Sequence, residues 1–284
     1  MTDRPLVRVG HSPDPDDAFM AWALAEGVLT AEDFDVELVA KDIETLNRWA
    51  VEDARLEATA LSAAAFARVA DRYWLLPHGA SFGEGYGPVV VRRADAPPLA
   101  SLDGVAVATP GELTTAFAAL RMAAPGARWQ HERFERILPR VKDGTYDAGL
   151  LIHEGQLTYA REGLAKVLDL GEWWQKETGG LPLPLGVVAL RRDLGAEMGA
   201  EVNALLKASL ETGLAMRKRA LAYAKRFGRG IADEDADRFV RMYVNDLTRD
   251  MRPRGLDAVK EFLRRAAAAG VVPRGARVEL APED

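Results

Sequence analysis

Short apolar runs alternate with longer segments of helical periodicity between residues 6 and 192, and this alternation limits the possible folds more than any other feature of the chain. Apolar runs of roughly four to eight residues predict strands, and apolar residues spaced three and four apart predict amphipathic helices. A chain that alternates between the two is expected to be an α/β protein. The strands are predicted at residues 6–9, 36–40, 88–92, 105–109, 148–153 and 184–191.

The helical segments are recognised by periodicity and by their end signals. The first begins with Asp16 and Asp17, carboxylates that favour a helix N-terminus, and ends before Gly27. Leu164 and Leu168 are predicted to lie on the core face of a further helix. The other helices are predicted at residues 43–50, 62–72 and 114–122, and at 200–227, 233–247 and 255–269 in an almost wholly helical C-terminal part.

Two segments rich in proline and glycine, residues 83–91 and 181–186, flank an internal α/β block. The glycines of the first do not fit a dinucleotide-binding fingerprint, because Pro88 and a strand follow them instead of a helix. They predict a crossover with close backbone approach. Paired crossovers predict a larger lobe of residues 1–91 and 187–284 and a smaller lobe of residues 92–186. The cleft between the lobes is the expected small-molecule site.

Charge and composition exclude several classes of function. The 37 basic and 43 acidic residues give a net charge of −6 (37 − 43) with no basic block, so nucleic acid is not an expected partner. The absence of cysteine from the sequence excludes disulfides, thiolate nucleophiles and cysteine-ligated metals. No apolar stretch predicts a membrane span, and the first residues do not resemble a secretory signal, so a cytoplasmic location is expected.

His153 is the histidine best placed for chemistry. It ends an apolar run at the edge where a predicted strand meets the cleft, and an imidazole there can act as a general base near neutral pH. The alternative is a histidine that only bonds a loop carbonyl, which the residue pattern by itself slightly favours. The neighbouring acid, Glu154, would point to the opposite face of the strand, so no partner for His153 is identified.

The loop after the first strand carries His11, Ser12, Asp14, Asp16 and Asp17. This edge of an open α/β sheet faces the ligand, so Ser12 and Asp14 are candidate substrate contacts. Carboxylates and a histidine can hold a divalent metal. A helix start explains them equally well, with Asp16 and Asp17 complementing the helix dipole and Ser12 or Asp14 capping. No metal is assigned to this loop.

Hydroxyl groups occur at two other predicted helix starts. Thr114 and Thr115 follow the strand at 105–109, where hydroxyls and exposed N–H groups can seat a carboxylate or phosphate. They can equally be simple caps. Ser62, which follows Ala60 and Leu61, has the same geometry in the first lobe.

Two adjacent aromatic residues, Trp173 and Trp174, can form a wall for a ring-bearing ligand, although core packing is expected for one of them. The sequence contains no Gly-x-Ser-x-Gly elbow, His-Glu-x-x-His motif or P-loop. The common signatures of hydrolases, metalloproteases and nucleotidases are therefore absent from it.

Five further segments occur in a characteristic order. They are DIETLNRWA at residues 42–50, RILP at 136–139, AGLLIHE at 148–154, DLGEWW at 169–174 and LPLPLG at 181–186. Together they resemble the 1,4-dihydroxy-6-naphthoate synthase family of the futalosine route to menaquinone, from about residue 7 to the last helices. The resemblance implies a two-lobed, type II periplasmic-binding-protein-like fold with C-terminal helices, which agrees with the paired crossovers.

The resemblance also implies an activity. The family is a carbon–carbon lyase that converts cyclic de-hypoxanthinyl futalosine to 1,4-dihydroxy-6-naphthoate. His153 matches its catalytic histidine, Thr114 and Thr115 match paired threonines of the substrate site, and residues 60–62 match a serine-bearing turn. No cofactor is implied, because the electrons released by cleavage complete an aromatic ring. The implied partner is a small anionic substrate, with other enzymes of the pathway linked only through metabolites.

Two departures from the family pattern bear on the substrate. The family's first loop reads Ser-Pro-Cys-Pro-Asn-Asp, whereas this chain has Asp14 and Asp16 in place of cysteine and asparagine, and Ala60 where lysine is common. Loss of a cation and gain of carboxylates predict a cleft less favourable to an anion. Two other activities of the fold stay open, a chorismate dehydratase and a non-catalytic protein that binds a small acid.

Overall fold

The computed structural model of the chain describes residues 4–228 and 232–283. Within these residues two β-sheets are flanked by helices, which confirms the predicted α/β class. The first sheet is formed by β1 (Leu6–His11), β2 (Asp35–Ala40), β3 (Ala58–Ser62), β4 (Tyr73–Leu75), β5 (Ser81–Gly83) and β11 (Leu183–Arg191). The second sheet is formed by β6 (Val89–Arg93), β7 (Ala106–Thr109), β8 (Arg128–His131), β9 (Ala148–Leu151) and β10 (Leu164–Asp169).

Both sheets mix parallel and antiparallel strands. The first has the order β2-β1-β3-β11-β4, with β5 paired to β11, and β1 runs parallel to β2 and β3. The second has the order β10-β6-β9-β7-β8, and β7 runs parallel to β8 and β9. The carboxyl ends of parallel strands are where ligands bind in α/β sheets. The candidate residues lie in the last residues of β3 and in the segments that follow β1, β7 and β9.

The helices pack around these sheets, and the segment after β11 is largely helical, as predicted. In the described part of the chain none of them is long and apolar enough to cross a membrane. They are α1 (Pro15–Ala25), α2 (Ile43–Glu52), α3 (Ala63–Phe66), α4 (Thr115–Ala123), α5 (Phe134–Lys142), α6 (Gly155–Thr158), α7 (Leu170–Thr178), α8 (Gly195–Ala215), α9 (Arg217–Ala224), α10 (Asp233–Tyr243), α11 (Asp246–Arg249) and α12 (Arg254–Ala268).

One cluster of buried apolar side chains extends across both sheets. It includes Leu61 and Val187 from the first sheet, Val90 and Leu150 from the second, and Trp174 from α7 between them. Burying a side chain of this size contributes about 1.5–3 kcal/mol. The shared core therefore holds the sheets in a defined relative position, and the space between them is formed in advance of any ligand.

The crossover at the predicted glycine-rich segment is confirmed as a point of close backbone approach. A Cβ atom on Gly83, or on Gly171 of α7, would lie 2.0 Å from the carbonyl oxygen of Tyr86. No side chain fits at either position, which is why glycine is required. Strand β6 beyond the crossover lies in the second sheet and β11 lies in the first. The division into lobes at residues 91 and 186 remains a prediction.

Two predicted helices are wrong. The segment 62–72 is helical only over α3, because Arg68 and Val69 donate backbone hydrogen bonds to carbonyls three residues earlier and the chain turns into β4. Residues Leu164–Asp169 form β10, which pairs antiparallel with β6 across a bulge. A short apolar run does not distinguish helix from strand, and here the partner strand decides.

Candidate active site

A cavity lies between the two sheets at the carboxyl ends of β1, β3, β7 and β9. It holds about 730 Å³ of space free of atoms, including the part open to solvent. The structure thus brings residues from separate strand ends to one cavity. The candidate residues that line it are Ser12, Asp14, Ala60, Ser62, Thr114, Thr115 and His153.

His153 forms a close pair with Asp14. The distance from His153 Nδ1 to Asp14 Oδ2 is 2.8 Å, and the two side chains are 11% and 7% exposed. The same Asp14 oxygen accepts a hydrogen bond of 2.8 Å from the Ser12 hydroxyl. The ring of Phe134 packs on the imidazole with centroids 4.3 Å apart. The partner of His153 that the sequence did not reveal is therefore an acid from the opposite sheet.

Two further features distinguish His153. It lies two residues beyond the end of β9 and not at the last position of the predicted strand 148–153, and its φ of 64° is uncommon outside glycine. Its Nε2 atom is buried and has no hydrogen-bond partner among the residues described. Strained backbone and unpaired buried polar atoms are costly, and they concentrate at functional sites. Because Nδ1 is engaged with Asp14, Nε2 is the nitrogen left for a ligand.

Asp16 and Asp17 add two carboxylates to the cavity wall. Burial raises the pKa of Asp16 well above its usual value, and the adjacent charges of Asp17 and Asp14 raise it further. Burial also raises the pKa of Asp17, although the Ser12 N–H donates to this carboxylate at 2.7 Å and opposes the rise. Within residues 4–228 and 232–283 no group of three or more histidine, aspartate or glutamate side chains is arranged to hold a metal ion.

The predicted helix start at this loop is confirmed, but its capping is not as expected. Asp14 occupies the N-cap position of α1 and makes no side-chain capping bond. Asp16 and Asp17 lie in the first turn, where carboxylates complement the helix dipole. The Asp14 side chain is thus committed to His153 and Ser12.

Thr114 caps α4 at the edge of the cavity. Its hydroxyl oxygen accepts the Phe117 N–H at 3.2 Å and donates to the Gly111 carbonyl at 3.0 Å. The first N–H groups of a helix have no acceptor within the helix. Those of Thr115 and Ala116 belong to residues that line the cavity, where they favour an anion. The first turn of α4 is better suited to hold a carboxylate than the Thr114 hydroxyl.

Thr115 connects two walls of the cavity. Its hydroxyl donates to the Leu185 carbonyl of β11 at 2.6 Å and accepts the Ala64 N–H of α3 at 3.2 Å. Thr115 belongs to α4 on the side of the second sheet, whereas both partners belong to the first. Since the residue is 2% exposed, this hydroxyl acts inside the protein rather than at its surface.

Residues of β3 alternate between cavity and core. Ala60 and Ser62 line the cavity, whereas Leu61 is fully buried in the apolar cluster, as the period of a strand requires. Asn47 accepts the Ser62 N–H at 2.8 Å and donates from its amide to the Ser62 hydroxyl oxygen at 3.0 Å. The proton of the Ser62 hydroxyl is left for donation to a ligand.

Four polar or aromatic lining residues were not identified from the sequence: Ser81, Gln156, Phe239 and Tyr243. The Ser81 hydroxyl oxygen accepts a backbone N–H from β11 at 3.1 Å. The Tyr243 hydroxyl donates to Gln156 Oε1 at 2.9 Å, and burial raises the pKa of Tyr243 well above its usual value. Phe239 and Tyr243 come from α10 with ring centroids 4.8 Å apart. The sequence of α10 indicates that the helix has an apolar face, but it does not indicate that this face lines the cavity.

The aromatic wall of the cavity is therefore on α10, and the one proposed for Trp173 and Trp174 is wrong. Trp174 is fully buried, packs on Phe262 with centroids 5.5 Å apart, and donates its indole N–H to the Pro182 carbonyl. Trp173 packs partly buried against the same cluster. Both tryptophans are core residues.

The cavity lining combines carboxylates with neutral hydrogen-bond donors. Among the described lining residues three are aspartates and none is lysine or arginine. An anionic ligand would therefore depend on neutral donors, namely the Ser62 and Ser81 hydroxyls and the first N–H groups of α4. Burial strengthens each hydrogen bond that these donors make.

The sequence of the chain was compared with those of known protein families and curated proteins. Residues 7–268 match the menaquinone biosynthesis family. The chain is 42% identical to 1,4-dihydroxy-6-naphthoate synthase of Thermus thermophilus over 93% of this chain and 95% of the relative. It is 38% identical to the enzyme of the same name from Streptomyces coelicolor over 94% of this chain and 95% of the relative.

Solved structures agree with the predicted fold. A protein from Archaeoglobus fulgidus superposes with a TM-score of 0.89 at 44% identity, covering 94% of this chain and 98% of that one. The alkanesulfonate-binding protein of Xanthomonas axonopodis has a TM-score of 0.69 at 10% identity, covering 96% of each chain, which confirms the periplasmic-binding-protein-like fold. The chain belongs to the 1,4-dihydroxy-6-naphthoate synthase family of menaquinone biosynthesis.

Proposed function

We propose that this protein cleaves cyclic de-hypoxanthinyl futalosine to 1,4-dihydroxy-6-naphthoate, with His153 as the general base and without a cofactor. The observation that carries the proposal is the buried, unpaired Nε2 of His153 in the cavity between the two sheets. The names of the two curated relatives support the choice of product.

The residues of the cavity suit a cleavage that begins with removal of a proton. In the proposed step Nε2 of His153 accepts that proton, the carbon–carbon bond breaks, and its electron pair completes an aromatic ring in the product. The substrate thus serves as its own electron sink, a task for which other lyases use a Schiff-base lysine or a metal. A positioned general base contributes about 10²–10⁴-fold to the rate.

Neutral donors would hold the acidic end of the substrate. The first turn of α4 offers N–H groups from Thr115 and Ala116, and Ser62 and Ser81 offer hydroxyls. Phe239 and Tyr243 would pack against the ring system. In this arrangement Thr114 and Thr115 serve the substrate through the helix that they cap and anchor.

The first experiment is an anaerobic incubation of the purified protein with cyclic de-hypoxanthinyl futalosine, followed by mass spectrometry for the dihydroxynaphthoate. His153→Ala should lower kcat by about 10²–10⁴-fold while substrate binding, measured by calorimetry, persists. His131→Gln is the matched control, because His131 lies outside this cavity. Near-normal turnover by His153→Ala would refute the assignment of the base.

The same incubation separates the alternative functions. Among the described lining residues, three aspartates without a lysine or arginine favour a ligand other than the expected anion, so a non-catalytic binding role is the second candidate. Tight binding of the compound without product would support that role. Release of water from chorismate in a parallel reaction would instead identify a dehydratase.

A further inference from the structure

We propose that Asp14 is the positioning residue for His153: it holds the proton on Nδ1 and leaves Nε2 as the acceptor. The activity arm of this inference rests on the proposed function. Its structural arm, which concerns the tautomer of one histidine, does not.

The geometry leaves one tautomer for a neutral His153. Asp14 Oδ2 receives the Ser12 hydroxyl and lies 2.8 Å from His153 Nδ1. An ionised carboxylate only accepts hydrogen bonds, so Nδ1 must carry the proton that is donated to it. Nε2 then has a lone pair, and it is the atom for which the described residues provide no partner. When Nε2 takes a proton from substrate, the positive charge that forms on the ring faces the Asp14 carboxylate.

Asp14 shows the signs of a side chain committed to this task. It is the N-cap of α1, where aspartate usually accepts an N–H from the first turn, yet it makes no capping bond. The Ser12 hydroxyl fixes its rotamer from one side and His153 from the other. The Ser12 N–H donates to Asp17, which gives the loop a second side-chain hydrogen bond.

The pair also spans the cavity. Asp14 follows β1 of the first sheet, whereas His153 follows β9 of the second, and Phe134 at the start of α5 packs on the imidazole. The orientation of the base consequently depends on the relative position of the two sheets. Because the core fixes the two sheets relative to each other, the imidazole is oriented before substrate binds.

The structural arm of the test is nitrogen NMR of the free protein. The side-chain ¹⁵N shifts of histidine distinguish the two neutral tautomers, and His153→Gln assigns the signal among the four histidines. The wild type should show Nδ1–H for His153, and Asp14→Ala should remove that preference. Asp14→Asn should keep it, because the amide oxygen can accept the same two hydrogen bonds without the charge. Asp95→Ala, at an exposed carboxylate in the loop after β6, is the matched control.

The activity arm uses the same variants with the proposed substrate. Asp14→Ala should lower kcat about 10²-fold with little change in KM, since loss of orientation acts on the reacting geometry and not on binding. Asp14→Asn should lose less, which separates orientation from charge. An Nε2–H tautomer in the wild type, or full kcat in Asp14→Ala, would overturn the inference. A wild type with the Nδ1–H tautomer but no turnover would overturn the proposed function instead.

Discussion

The Thr115 hydroxyl allows a decisive test of whether this residue contacts substrate or joins the two walls of the cavity. Thr115→Val keeps the shape of the side chain but removes the hydrogen bonds to the Leu185 carbonyl and the Ala64 N–H. A buried group left without a partner costs about 1–3 kcal/mol. Ala64 is buried and Leu185 is partly exposed, so the two losses together should cost about 2–4 kcal/mol of unfolding free energy.

Denaturation in urea, followed by circular dichroism, measures this free energy. Thr115→Ser is the matched control, because it retains the hydroxyl and loses only a methyl group. If the hydroxyl served the substrate alone, Thr115→Val would unfold within about 0.5 kcal/mol of the wild type, as substitutions outside such networks do, and would show a raised KM. That combination would refute the assignment of Thr115 as a connection between the two walls.

Two further predictions concern stability. Because the pKa of Asp16 is raised, the folded state holds its proton more tightly than the unfolded state does. The contribution of Asp16 to the unfolding free energy is therefore fully present below its unfolded pKa of about 4. It is lost as the pH rises through the folded pKa. Asp16→Asn should therefore raise the melting temperature at pH 8 but not at pH 4, and an equal rise at both would contradict the argument. Gly171→Ala places a Cβ 2.0 Å from the Tyr86 carbonyl and should destabilise the crossover by about 1–3 kcal/mol. Gly179→Ala, where a Cβ meets open space at a positive φ, serves as the comparison in the same urea titration.

The α/β class, six of the strands and the paired crossovers were predicted from the sequence. The predicted strands are β1, β2, β6, β7, β9 and β11. These features depend on local signals, since apolar period, helix caps and clusters of proline and glycine act over a few residues. The same locality explains the errors. The spacing of apolar residues after Leu164 is compatible with either a helix or a strand. The segment is strand β10 because it pairs with β6.

The chemistry of the cavity divides in the same way. His153 was predicted because it ends an apolar run, and Ser62 and the start of α4 because hydroxyls occur there at predicted helix starts. The sequence by itself determines these positions. The roles of Asp14, Thr115 and α10 were decided only by tertiary structure. The sequence predicts a helix cap at Asp14, but in the structure the segment after β9 places the imidazole of His153 2.8 Å from its carboxylate. The reason is physical: a side chain's preference is local, but the partner that satisfies it comes from wherever the two sheets enclose the same space.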